Sequence, residues 1–138
     1  MEFTPTQIKY LVTIYALNQN GLVRSMDVAQ QLEVSRPSVH RMLLQLEQEG
    51  LITKQPYSVV KITQSGEAFM KQYYWGYCLI TRFLQRNLPL GEAAVCEGAF
   101  ALLGEVGPAK LDELCRALTV GNETYMELLE PGNQPQLS

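Results

Sequence analysis

The chain has 138 residues, 46 % of them apolar and 18 % charged, a mixture that suits one compact domain or two small ones with no need of disulfide or metal staples. It has no apolar run approaching the roughly 18–20 residues of a membrane-spanning helix, and its start, MEFTPTQIKY, lacks the basic and apolar regions of a secretory signal, so the expected location is the cytoplasm. The net charge of −3 argues against a uniformly basic nucleic-acid binder, yet it is uneven: residues 1–72 hold seven Lys and Arg against six acids, and residues 73–138 four against eight. A mildly basic module joined to an acidic one reads this way.

In chain order, residues 4–18 place Ile8, Leu11, Val12, Tyr15 and Leu17 at roughly the 3.6-residue period of an amphipathic helix, with Thr4 as cap and Pro5 in the first turn. A second helix opens at SMDVAQQL, with Ser25 as N-cap, Asp27 in its first turn, and Val28, Ala29 and Leu32 inward. After the turn EVS, Ser35 caps a third helix, RPSVHRMLLQLEQEG, whose buried stripe is Val39, Met42, Leu43 and Leu46 and which Gly50 stops. Two short apolar runs, Leu51–Ile52 and Val59–Ile62, flank the turn signal QPYS and predict a β-hairpin. A long helix follows TQSG to about Leu88, a fifth spans about 92–103, and a sixth runs from Pro108 to near Val120. The expected fold is mainly α: a winged helix-turn-helix of three helices plus a hairpin, followed by a helical domain. The three cysteines, Cys78, Cys96 and Cys115, form no C-x-x-C pair, which favours buried thiols over a zinc or disulfide framework.

The third helix carries the functional signal. Its polar face bears Ser35, Arg36, Pro37, Ser38, His40, Arg41 and Gln45, small or hydrogen-bonding groups at the N-terminal end that suit entry into a major groove. Arginine pairs bidentately with guanine, serine donates or accepts, and a proline ring meets a thymine methyl. Lys54, Tyr57, Ser58 and Lys61 on the hairpin are placed for phosphate and sugar. The competing reading is a three-helix core used for protein contact, that is, an interaction adaptor that no longer binds DNA. Enzyme readings find no support: there is one histidine, no Gly-rich phosphate loop and no nucleophile–base arrangement.

The run YLVTIYAL…GLVRSMDVAQQLEVSRPSVHRMLLQLEQEGLI…ITQSG resembles the diphtheria toxin repressor and manganese transport regulator family of metal-dependent repressors, most specifically in V-S-x-P-S-V and L-E-x-E-G-L-I. The likeness covers about residues 4–88 and beyond residue 90 fades to a matching helical pattern. It implies a homodimer on a pseudo-palindromic double-stranded operator, with Ser35, Pro37, Ser38 and Arg41 at base edges. It also implies a division into a DNA-binding domain (1–64) and a helical dimerisation domain made of a long linking helix plus two helices (65–120); the residues of 121–138 themselves, NETYMELL and PGNQPQLS, read as a short helical turn with a disordered tail.

The resemblance also implies a manganese or iron site, and there the residues depart from the pattern. Lys9 and Val12 stand where two first-helix acids are expected, and Tyr77 where the long helix supplies a histidine. On the fifth helix, whichever of Cys96, Glu97 or Ala99 takes the first ligand position, the glutamate–histidine pair that should follow is missing. Hard divalent ions need several converging oxygen or nitrogen donors, so no metal cofactor is expected; a thiolate site from Cys78, Cys96 and Glu97 has no spacing rule behind it. In its place the long helix is rich in aromatics, with Phe69, Tyr73 and Tyr77 on one face at i, i+4, i+8. Tyr73, Tyr77, Cys96, Glu97 and Phe100 form either core or dimer-interface packing, or the lining of a small-molecule effector pocket.

Overall fold

A computed structural model of the chain describes residues 2–119. In chain order it contains α1 (Pro5–Asn18), β1 (Val23–Arg24), α2 (Ser25–Leu32), α3 (Arg36–Gln48), β2 (Ile52–Gln55), β3 (Val59–Ile62), α4 (Gln64–Asn87), α5 (Glu92–Val106) and α6 (Pro108–Thr119). The mainly α class and the order helix, helix, helix, wing, helices agree with the sequence. The turn and tail expected at 121–138 lie outside the described residues.

Contacts divide the chain into two compact units, Lys9–Lys71 and the combination of Met1–Ile8 with Gln72–Ser138. This differs from a division at residue 64, for two reasons. The 24-residue helix α4 runs through the boundary. The N-terminal residues pack on the helical unit: Phe3 meets Tyr73 edge-on with ring centroids 5.7 Å apart, and a Cβ on Gly104 would stand 2.8 Å from the Pro5 ring. That approach is open only to a residue without a side chain.

Within the Lys9–Lys71 unit, α1 is buried more completely than an amphipathic stripe predicts. Tyr10, Thr13 and Ile14 are buried along with Leu11, Val12 and Tyr15, while Leu17 is only half-buried. Val28 and Ala29 of α2 and Val39, Leu43 and Leu46 of α3 complete the helical core. Glu33, at φ 54°, ends α2 in a left-handed cap, and Ser35 starts α3 by accepting a hydrogen bond from the Ser38 N–H at 3.3 Å. The two caps, Glu33 and Ser35, are separated by a single residue, Val34, which makes the turn tight.

Two local expectations need correction. The predicted two-stranded hairpin is a three-stranded antiparallel sheet in the order β1-β3-β2, with Val23 opposite Val60 and Arg24 opposite Val59. A two-residue strand is too short to display the alternation by which strands are read; burial of Val23 against β3 specifies it instead. Ser25 is not the cap of α2 but its first residue. Arg24 takes the cap position, and its N–H donates to the Asp27 carboxylate at 2.8 Å. The Ser25 hydroxyl donates across the unit to the Ser58 carbonyl at 3.3 Å.

The turn between β2 and β3 is Pro56–Ser58, with Tyr57 (φ 64°) and Ser58 (φ 60°) both in the left-handed region. Neither is a glycine, so the turn is strained by about 1 kcal/mol or more per residue. Tyr57 is 89 % exposed at its tip. In the second unit, Tyr73, Tyr77, Cys78, Ile80, Ala99, Leu103 and Leu111 are essentially fully buried. The three cysteines are buried and none is in a disulfide, as the spacing predicted.

Candidate nucleic-acid interface

The position of each α3 side chain follows from 100° per residue. Val39, Leu43 and Leu46 are buried, so the opposite direction carries Pro37, Arg41, Leu44 and Gln48, all exposed. Arg41 is held in a short chain of polar contacts. The Ser35 hydroxyl donates to Ser38 Oγ at 2.9 Å, and Arg41 Nη2 donates to the same oxygen at 3.5 Å. The helix cap and the guanidinium thus share the Ser38 hydroxyl. Gln45 is exposed one turn beyond Arg41.

Arg36 and His40 point elsewhere. They are five and one residues before Arg41, and together with Arg24, Lys54, Tyr57 and Ser58 they line a cleft of about 410 Å³ between the start of α2, α3 and the wing turn. Lys54 Nζ lies 3.1 Å from His40 Nδ1; an ammonium has no lone pair, so the ring nitrogen accepts. Lys61 is on the other face of the sheet. It pairs with Thr53 while Lys54 pairs with Val60, and neighbouring strand positions face opposite ways.

The structure therefore splits the expected DNA-contacting set in three: Ser35, Pro37, Ser38, Arg41 and Gln45 on the helix tip and outward side; Arg36, His40, Lys54 and Tyr57 at the cleft; and Lys61 apart from both. Two residues escaped sequence reasoning. Leu44 is 39 % exposed on the outward face, although a leucine in a helix is ordinarily assigned inward. Arg24 joins the cleft because it lies on the strand too short to be read.

Of the five residues singled out on the helical unit, three converge. Tyr77 stacks on Phe100, with centroids 4.5 Å apart and planes 19° from parallel, and its hydroxyl donates to Cys96 Sγ at 3.2 Å. Burial, and then the bond to Cys96, push the Tyr77 phenol far above its usual range, so it stays neutral. Tyr73 is fully buried and its hydroxyl has no hydrogen-bond partner among the described residues. Glu97 is exposed. Burial pushes the nearby Cys78 thiol up to about 12, which leaves it protonated and unreactive near neutral pH. Among the described residues no three His, Cys, Asp or Glu side chains gather closely enough to hold a metal ion.

Residues 2–60 match a family model described as the iron-dependent repressor N-terminal DNA-binding domain. The HTH-type transcriptional regulator MntR of Lysinibacillus sphaericus (strain C3-41) is 30 % identical over 83 residues, 59 % of this chain and 60 % of that protein. The solved structure of the manganese regulator SloR superposes with a TM-score of 0.69 at 26 % identity over 85 % of this chain. Residues 2–60 are thus similar to the DNA-binding domain of the iron-dependent repressors. A second solved structure, the metal-dependent transcriptional regulator MtsR, gives the same TM-score of 0.69 at 26 % identity over 84 % of this chain. The chain spans 60 % of the length of the MntR relative and little more than half that of the solved ones, 55 % of SloR and 54 % of MtsR. No helix among the described residues is long and apolar enough to cross a membrane.

Proposed function

We propose that the protein is a sequence-specific, double-stranded-DNA-binding transcriptional repressor, not an enzyme, that works in the cytoplasm as a homodimer and does so without manganese or iron. The observation that carries the DNA reading is the outward face of α3. There the Ser35–Ser38–Arg41 contacts present a guanidinium beside Pro37, on a domain that matches the family's DNA-binding model. A two-fold dimer would set its two α3 helices in successive major grooves about 34 Å apart, or a multiple of that.

Independence from metal rests on the donor set. A family-type ion would have to be held where the sequence supplies Lys9, Val12 and Tyr77. Val12 has no lone pair and is fully buried, and Tyr77 is fully buried against Phe100 with its hydroxyl engaged by Cys96. The chain's one histidine, His40, is on α3 against Lys54. These residues do not fit a hard divalent ion, which needs several converging oxygen or nitrogen donors. With Tyr77, Cys96 and Phe100 packed on one another, we read this cluster as core that fills the family's ligand region. A small-molecule effector would then have to bind elsewhere.

Arg41 tests the DNA reading. On duplexes selected from a random pool, Arg41→Ala is expected to weaken binding by about 1–3 kcal/mol and to relax the preference at one base pair per half-site. Equal weakening on every sequence would assign Arg41 to phosphate instead. Unchanged binding would remove α3 from the interface.

A further inference from the structure

One large apolar side chain of α3 is left on its outward face. Leu44 is 39 % exposed there, while Val39, Leu43 and Leu46 are buried. Its neighbours on that face are Pro37, Arg41, Gln45 and Gln48, all exposed. At 100° per residue Leu44 lies about 20° short of the line through Pro37 and about 60° from Arg41. At 1.5 Å per residue it stands about 10 Å beyond Pro37 along the helix axis. No carboxylate shares the face. The one acid of α3, Glu47, is half-buried and accepts the backbone N–H of Lys54 at 2.9 Å. The face therefore offers one guanidinium, two amides and two apolar groups, with no acid to repel a polyanion.

A leucine side chain has no donor and no acceptor. Of everything that base pairs display in the major groove, it discriminates one feature, the methyl group at C5 of a pyrimidine. We propose that Leu44 is a specificity-determining residue that reads this methyl group, on thymine or on 5-methylcytosine. The proposal rests on the DNA-binding reading above. With α3 lying along the groove, Leu44 and Pro37 meet edges about three base pairs apart, at about 3.4 Å per base pair, and Arg41 stands between them. The base contacts then extend past the first turn of α3 to its third. A methyl group packed on Leu44 leaves water, a gain that cytosine and uracil cannot supply at that place. Thymine and 5-methylcytosine carry the same group on the same ring carbon, so the experiment separates the two sources.

The experiment uses the full-length wild type, Leu44→Ala and Leu44→Met, each checked by thermal melting, on duplexes selected from a random pool. Each thymine of a half-site is replaced in turn by uracil, which removes the methyl group and no hydrogen-bonding group. The wild type is expected to lose about fourfold in affinity at one thymine per half-site through Leu44, the worth of one buried methyl group. Leu44→Ala is expected to bind the parent duplex about fourfold more weakly and to be indifferent to uracil at that thymine. Leu44→Met keeps an apolar side chain of similar reach and is expected to keep the sensitivity. At the same position a 5-methylcytosine–guanine pair is compared with the unmethylated pair. Tighter binding of the methylated pair by the wild type, absent in Leu44→Ala, supports the proposal with both bases as sources. Equal binding of the two pairs, together with the uracil result, supports it with thymine alone. A Leu44→Ala protein that retains every uracil loss of the wild type overturns the proposal, and a change in its sedimentation would assign Leu44 to a protein contact instead. Selective binding by the wild type with no uracil loss at any thymine overturns the Leu44 assignment and leaves the DNA-binding reading standing. If the wild type binds no selected duplex, the DNA-binding reading fails and this proposal with it.

Discussion

Tyr77→Ala is expected to destabilise the protein by about 3–5 kcal/mol, the range for truncating a buried aromatic. Tyr77 is fully buried, stacked on Phe100 and bonded to Cys96 Sγ. Its removal deletes the stack, strands the Cys96 partner and leaves a cavity that α4 and α5 cannot close without moving. Tyr77→Phe keeps the ring and loses only the hydroxyl, which costs about 1 kcal/mol. Urea unfolding of the two variants reads both values from the midpoint, provided the slope is unchanged. The contrast bears on function. A packed aromatic core predicts a large loss for alanine and a small one for phenylalanine. A cavity kept open for an effector predicts that alanine is tolerated, because the void already exists and little packing is lost.

Gly66→Ala is expected to cost about 3 kcal/mol or more, at the upper end for overpacking, because the obstacle is main chain. Gly66 is buried in the first turn of α4. A Cβ there would overlap the Leu51 carbonyl oxygen and stand 2.7 Å from its carbonyl carbon. That oxygen already accepts the Thr63 N–H at 3.1 Å, and Thr63 Oγ1 in turn donates to the Gly50 carbonyl at 2.6 Å and accepts the Gly66 N–H at 3.0 Å. The start of α4 is thereby clamped on the segment that leads from α3 into the wing. A methyl group must push the two apart and break the clamp. The same urea titration checks it, and a loss under about 1 kcal/mol would show that the contact can relax.

How far the sequence could be read depended on the range of each signal. Ser35 and Pro37 announced the start of α3, and QPYS the wing turn, because cap and turn chemistry are local. The i, i+4, i+8 spacing put Tyr73 and Tyr77 on one face of α4 because helical period is also local. Residues whose meaning depends on distant neighbours stayed hidden. Nothing around Gly66 discloses that Leu51 lies against it. Arg24 became a cleft residue through pairing with β3, 35 positions away at Val59. Arg36 and Arg41 look alike in the sequence, and only the location of the cleft separates them. The choice between core and pocket for Tyr77, Cys96 and Phe100 required their mutual contacts, and Glu97, one residue from Cys96, proved to face outward.

On the proposed function this chain binds selected DNA without a metal. The direct measurement is a titration of chelator-treated protein onto duplexes enriched from a random pool, repeated after addition of manganese, iron and zinc. The expected result is tight, sequence-selective binding by the metal-free protein, with an affinity that none of the three ions changes. Selective binding that appears only when an ion is restored would contradict it and require a metal site that the donor set at Lys9, Val12 and Tyr77 does not provide.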